Sequence, residues 1–230
     1  MHLGLVGGIG PAATEYYYRG LVKAYATADK KLELTIVHAD AQTLLDNLAR
    51  GDTQRQADIF LKFVERLMAA GADAAVITSL AGHFCIEELK DKSPLPIIDA
   101  LPELDNYFAS ENVTRLGLLG TQGVMESHLY GGVTSVDLVL PQGDDLKLVH
   151  ENYIAIAMSG MATGRQKEFF HNIAWRICKE QGADAVALVG TDLFLAFDDP
   201  GYDYRVIDCA QVHINALVAS SLAFDREKMN

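Results

Sequence analysis

A serine and a histidine four residues apart, Ser79 and His83, follow the apolar run at 74–78. On a helix that spacing puts both on one face, where a hydrogen-bonded pair makes a nucleophile or an acid–base unit. The other reading is an N-cap serine and a partly buried histidine. At an offset of 111 residues, the run at 185–189 leads into Gly190, Thr191 and Asp192. Here a hydroxyl and a carboxylate stand just past the strand, although Asp near a helix start is also an ordinary dipole-stabilising choice. A third turn, GGIGPAAT from Gly7 to Thr14, offers Gly8, Ile9 and Gly10 as backbone N–H donors to a carboxylate or phosphate. A tight strand-to-helix turn is its plainer reading. The spacing is neither G-x-G-x-x-G nor a P-loop, and His38 ends the second strand where a dinucleotide site would carry an acid.

The elements that must hold these turns repeat. LGLLGTQGVMESHLY at 116–130 lies over LGLVGGIGPAATEYY at 3–17, an offset of 113, and GADAVALVG at 182–190 lies over GADAAVITS at 71–79. Asp208 lies over Asp99 at an offset of 109, each ending a strand and each expected to fix a loop. Short apolar and β-branched runs predict strands at 3–7, 32–38, 74–78 and 97–99, then at 136–140, 185–189 and 204–208. Apolar spacings of three and four predict helices at 12–25, 41–50, 54–70 and 166–181, another through Ile86 and Leu89, and a last one at 211–224. Alternating strands and helices describe an α/β fold of two pseudo-symmetric lobes, each a mainly parallel sheet flanked by helices. The lobes divide at 1–112 and 113–210. Residues 211–230 are expected to pack back on the first lobe, their charged end fraying. Ligands of such sheets bind beyond the carboxyl ends of the strands. The expected site is therefore a cleft between the lobes, with Ser79 and Gly190 on opposite walls.

Bulk properties narrow the class. A formal net charge of −12 over 230 residues, with no basic stripe, argues against nucleic acid and against an anionic membrane surface. No apolar run reaches the roughly 18 residues of a membrane helix. The N-terminus, MHLGLVGGIGP, lacks the basic start and cleavage site of a signal peptide. Cys85, Cys178 and Cys209, an odd number with no CxxC, fit a reduced cytoplasmic protein and are expected to be packed, inert thiols. Cys/His spacing for a metal site is absent, so no metal is expected. DDPGYDYR at 198–205 reads as a polar loop that could border the cleft, with a lid as the sharper alternative.

These motifs together resemble the aspartate/glutamate racemase superfamily, nearest its aspartate racemase branch. The carrying residues are Gly7 to Thr14, Gly71-Ala72-Asp73 leading to Ser79 and His83, and Leu119 to Ser127 with Tyr130. Gly182-Ala183-Asp184 leading to Thr191-Asp192, and Ile207-Asp208 with His213, complete them. The resemblance implies a cofactor-independent, dimeric enzyme of two α/β lobes acting on a small carboxylate. It also implies two cysteines, in Cys-Asn-Thr-x-His and Gly-Cys-Thr-Glu turns, that exchange a proton at the α-carbon. Ser79 and Gly190 stand at those two positions, and Leu80 and Ala81 replace the Asn and Thr. Cys85 lies six residues past Ser79 and does not stand in. A thiol of pKa about 8.5 is tunable for proton abstraction, a serine hydroxyl is far less acidic, and glycine carries no proton to transfer. The expected catalytic set is therefore Asp192 and His83 for acid–base work, with Ser79 orienting or protonating the substrate. Gly8, Ile9, Gly10, Leu80, Ala81, Thr121, Gly123, Gly190 and Thr191 are expected to bind it. With the thiol pair absent, the expected chemistry is a divergent isomerase or lyase reaction. The alternative is a non-catalytic carboxylate-binding protein or regulator.

Overall fold

The computed structural model describes residues 1–198 and 201–229. Asp199 and Pro200, part of the polar loop singled out above, lie outside the described residues. The chain forms two compact units: Met1–Asp99 with the chain from His213 onward, and Ala100–Val212.

In the first unit three parallel strands, β1 (His2–Gly7), β2 (Glu33–His38) and β3 (Ala74–Ile77), lie in the order β2-β1-β3. Its helices are α1 (Pro11–Thr27), α2 (Ala41–Arg50), α3 (Thr53–Ala69), α4 (Ile86–Lys92) and, from the far end of the chain, α9 (Cys209–Met229). The fourth strand expected at 97–99 is a single bridge, Ala75 to Ile97. Prolines at 94 and 96 carry no N–H, so the ladder is reduced to Ala75 N–H on the Pro96 carbonyl and Ile98 N–H on the Ala75 carbonyl, both 2.9 Å. Helix α9 runs parallel to α1. The Tyr17 hydroxyl meets His213 Nδ1 at 2.9 Å, the Tyr25 hydroxyl meets Ser221 Oγ, and Leu21 and Leu217 are buried between these pairs. The helix extends through the segment expected to fray, as far as Met229.

The second unit carries α5 (Ala100–Ser110), β4 (Arg115–Leu119), α6 (Gln122–Glu126), β5 (Asp137–Val139), α7 (Asp145–Ser159), α8 (Gly164–Lys179), β6 (Ala185–Leu188) and β7 (Arg205–Asp208). Its parallel sheet has the order β5-β4-β6-β7. The boundary falls ahead of α5 and not at residue 112. Asp105 of α5 accepts the N–H groups of Thr134 and Ser135 at 2.9 and 2.8 Å, which ties that helix to the second unit.

The sequence repeat is a repeat of register. Leu3 pairs with Ala74 and Leu116 with Ala185; Ala75 bridges Ile97 and Val186 pairs with Val206. The Leu-Gly-Leu pattern of β1 and β4 has a packing cause. A Cβ at Gly4 would lie 2.9 Å from Leu67 of α3, and one at Gly117 would lie 2.3 Å from Ile177 of α8. Each helix thus presses directly on strand backbone. The repeated Asp of Gly-Ala-Asp pins the start of the neighbouring strand. Asp73 accepts the His2 N–H at 2.7 Å, and Asp184 accepts those of Thr114 and Arg115 at 2.8 and 2.9 Å. Among the described residues no helix is long and apolar enough to cross a membrane.

Candidate functional site

In the first unit the turns after β1 and β3 lie at the same, carboxyl end of the sheet, because Val6 pairs with Ile77 in parallel strands. Ser79 is 2% exposed, opens a 3-10 segment at Leu80–Cys85 and does not cap it with its side chain. Leu80 and Ala81 are buried in that segment. The expected Ser79–His83 side-chain pair does not form. His83 Nδ1 lies 2.8 Å from the Ser79 carbonyl oxygen. A carbonyl only accepts, so Nδ1 carries the hydrogen. The tighter 3-10 path, in place of an α-helix, brings the imidazole onto the backbone and not onto the hydroxyl.

The other face of the ring meets Asp99, with Nε2 3.5 Å from Oδ1. Asp99 in turn holds Lys90 Nζ at 2.6 Å, and Lys90 also meets Glu87 at 2.7 Å. Burial lowers the His83 pKa from 6.5, against the opposing pull of Asp99. At Lys90 burial acts downward, but the hydrogen bonds to Asp99 and Glu87 outweigh it and the ammonium pKa is raised above 10.5. Asp99 therefore does more than fix a loop: it joins α4 to the histidine beneath Ser79. Asp208 keeps the simpler role, accepting the Ala210 and Gln211 N–H groups at 3.0 and 3.2 Å to start α9.

The glycine turn after β1 is less open to an anion than its sequence implies. The Gly8 N–H already donates to Thr14 Oγ1 at 2.7 Å. Ile9 and Gly10 follow, both buried, and Gly10 stands at the start of α1. Beside them Gly8, Pro11, Thr14, Glu15, Tyr18, Ile36 and His38 line a groove of about 330 Å³. Its aromatic and aliphatic members suit an apolar group better than a carboxylate.

In the second unit the turns after β4 and β6 are packed backbone to backbone. A Cβ at Gly120 would lie 2.8 Å from the Gly190 nitrogen. Thr121 spends its hydroxyl on the Val124 N–H at 3.3 Å, capping α6, with Gly123 inside that helix. The Gly190 N–H donates to the Leu119 carbonyl at 3.0 Å, so it is not the carboxylate donor expected from sequence. The sheet's own closure has taken both groups.

Thr191 and Asp192 remain. Thr191 is 2% exposed; its Oγ1 lies beside the Tyr153 hydroxyl, and no hydrogen bond of good geometry reaches it among the described residues. An unpaired buried hydroxyl costs roughly 1–3 kcal/mol, a cost that an oxygen-bearing ligand would remove. Asp192 is fully buried and faces the hydroxyl of Tyr153, 3.3 Å from Oδ2. Tyr153, from the middle of α7, was not anticipated from the sequence. Its signal was present: Val149, Tyr153, Ile156 and Ala157 are the buried residues of that helix, at helical spacing.

The thiols take no part. Cys85 and Cys209 are buried and Cys178 is half-buried. Burial, aided by Glu88, pushes the Cys85 thiol up to about 12, and burial pushes Cys178 up to about 11 and Cys209 well above 9.0. At pH 8 the most acidic of them is then only about 0.1% thiolate. Iodoacetamide at that pH should leave the native protein largely unlabelled over an hour and label all three positions in 8 M urea. Rapid native labelling would contradict the packing described. Among the described residues no group of three or more His, Cys, Asp or Glu could hold a metal ion.

Comparison with known proteins agrees with this architecture. The family model described as Asp/Glu/Hydantoin racemase matches residues 6–217. Solved structures with the same fold include an aspartate racemase homologue from Pyrococcus horikoshii OT3, at 20% identity and TM-score 0.76 over 95% of this chain and 97% of that one. The aspartate racemase of Picrophilus torridus matches at 16% identity and TM-score 0.77, covering 96% and 94%. The glutamate racemase of Francisella tularensis, solved with D-glutamate, matches at 12% identity and TM-score 0.68, covering 98% and 82%. The matched span takes in every strand-end turn described above. The chain belongs to the Asp/Glu/hydantoin racemase family.

Proposed function

We propose that this protein acts on a small carboxylate, moving a proton at the carbon beside the carboxyl group, with Asp192 as the group that takes and returns it. The observation that carries this reading is the Thr191–Asp192 turn. A buried hydroxyl with no well-formed hydrogen bond stands next to a buried carboxylate, at the carboxyl end of a parallel strand. A ligand with an acceptor oxygen satisfies Thr191, and a bound carboxylate in a low-dielectric turn acts as a base more effectively than in water. In the first unit, taken by itself, the Ser79 hydroxyl, Leu80 and Ala81 are the candidate substrate contacts. His83, held by the Ser79 carbonyl, supports their turn and stays neutral near pH 7. Ile9 and Gly10 remain candidate backbone donors. The chemistry uses only the chain's own groups, and the three free thiols support a reducing, cytoplasmic setting for it. A homodimer is the expected assembly, to be read by light scattering.

Glycine at 190 and serine at 79 favour a second reading, a binding protein that handles the same ligands without turnover. One experiment separates the two. The protein is incubated in D₂O with each enantiomer of aspartate and of glutamate, the Cα–H signal is followed by NMR, and the same ligands are titrated by calorimetry. Exchange is expected with one enantiomer of one of these acids, and Asp192→Asn is expected to slow it roughly 10²-fold or more. Binding heat without exchange supports the second reading. Neither heat nor exchange with any of the four ligands would sink both.

A further inference from the structure

The space in front of Gly190 is occupied. A Cβ built on that residue would lie 2.4 Å from Cε2, 2.7 Å from Cδ2 and 2.8 Å from Cζ of Tyr153. These are ring carbons of a side chain only 4% exposed, carried by the third turn of a helix, and they have no room to give way. The same ring ends in a hydroxyl directed at Asp192. We propose that Tyr153 is the positioning residue of this turn: its ring takes the space that a side chain at 190 would need, and its hydroxyl orients the Asp192 carboxylate. Proton transfer on this turn then belongs to residue 192 and not to residue 190. The second half of the proposal rests on the reading of Asp192 given above; the first half does not.

The two halves share one geometry. Asp192 follows Gly190 by two residues, so a group that touches both fixes the turn from its outer side. A tyrosine suits this, being rigid, with only two side-chain torsions, and having an apolar body and a polar tip. Burial, with the Asp192 charge, raises the phenol pKa well above 10.0. The hydroxyl therefore stays a neutral donor at any pH at which the protein is handled. A lasting donor on one carboxylate oxygen holds the plane of Asp192 and favours its ionised form, the form that accepts a proton.

Two sets of variants test this. For the ring, Gly190→Ala, Tyr153→Ala and the double variant are compared by thermal melting. Gly190→Ala alone should lower the melting temperature by roughly 5 °C. In the double variant the new methyl should restore part of what Tyr153→Ala loses, so that its fall is clearly smaller than the two single falls together. Additive falls, or an unperturbed Gly190→Ala, would overturn the packing claim. This readout needs no activity, so it stands if the function proposed above fails.

For the hydroxyl, Tyr153→Phe keeps the ring and removes the donor. Its melting should stay near that of the parent chain. Its deuterium exchange should slow roughly tenfold at saturating substrate with little change in KM. The acidic limb of its pH–rate profile should move to higher pH, because a carboxylate that loses a donor binds its proton more tightly. A Tyr153→Phe protein with the parent's rate and pH profile removes the positioning role, and so does a parent chain that shows no exchange at all. Gly190→Cys should gain no exchange activity unless Tyr153 is also cut back to alanine.

Discussion

Acidification from pH 6.5 to pH 3 should remove roughly 4 kcal/mol of stability through His213 alone. This imidazole is fully buried where α9 lies against α1. Burial, with the neighbouring His83 acting in the same direction, brings its pKa down from 6.5 to about 3, against weaker opposing effects of the Ile98 carbonyl and Asp99. Between those two values the unfolded chain binds a proton at this position and the folded chain does not. Protonation therefore favours the unfolded state. The stability is fully present above pH 6.5 and is lost as the pH falls towards 3. Each pH unit in that window costs about 1.4 kcal/mol. The groups facing the ring are the Tyr17 hydroxyl from α1, His83 from the 3-10 segment, and the Ile98 carbonyl and Asp99 from the segment between α4 and α5. His83, also lowered by burial, adds a slope of the same sign. Urea unfolding at half-unit steps from pH 7 to pH 4 reads the effect. His213→Gln, which keeps a hydrogen-bonding group for Tyr17 but cannot titrate, should flatten the slope by close to one proton. An unchanged slope would mean that the acid lability lies elsewhere.

Asp99→Ala should cost roughly 3 kcal/mol at neutral pH, which for a chain of this size lowers the melting temperature by roughly 6–12 °C. The Asp99 side chain is 8% exposed, and its carboxylate binds Lys90 at 2.6 Å and lies 3.5 Å from His83 Nε2. Removing it leaves a half-buried lysine with Glu87 as its remaining carboxylate, and an imidazole facing a cavity. Lys90→Met leaves the mirror problem, a covered carboxylate without its cation. The double variant Asp99→Ala/Lys90→Met should therefore be more stable than Asp99→Ala alone, since neither charge is then left behind. The pH dependence has the opposite sign to that of His213. Lys90 has its pKa raised in the folded chain, so its contribution is complete below 10.5 and declines as the pH climbs through the higher folded value. A melting temperature within 2 °C of the parent for Asp99→Ala would show the chain of contacts to be ornamental.

Much of the fold was legible because the chain states it twice. The offsets of 113, 111 and 109 are those that align Leu3–Ala74 with Leu116–Ala185 and Ala75–Ile97 with Val186–Val206, so a comparison of the chain with itself gives strand register as well as strand position. What lies outside the repeat was harder. Helix α7 has an apolar spacing that would have announced it, and with it Tyr153, but no partner in the first unit to draw attention to it. Lys90 and Asp99 are nine residues apart and Tyr17 and His213 are 196 apart, separations to which no helical or strand spacing corresponds. The strand-end turns were legible in the sequence as turns and less so as sets of atoms. Gly8 and Gly190 were credited with N–H groups that the structure spends on Thr14 and Leu119. Ser79 and His83 were given a side-chain bond that the 3-10 path converts into a backbone bond. Sequence spacing fixes which residues share a turn; whether a particular donor is left for a ligand depends on how the turn closes.

The pairing of α1 with α9 gives the chain an order of events. The second unit is one continuous stretch, Ala100–Val212, lodged between the two pieces of the first. During synthesis it can be complete while Tyr17, Leu21 and Tyr25 still wait for His213, Leu217 and Ser221, which follow it in the chain. Helix α1, made before the second unit, therefore closes after it, and until it does one face of α1 is a hydrophobic stripe in need of protection from other chains.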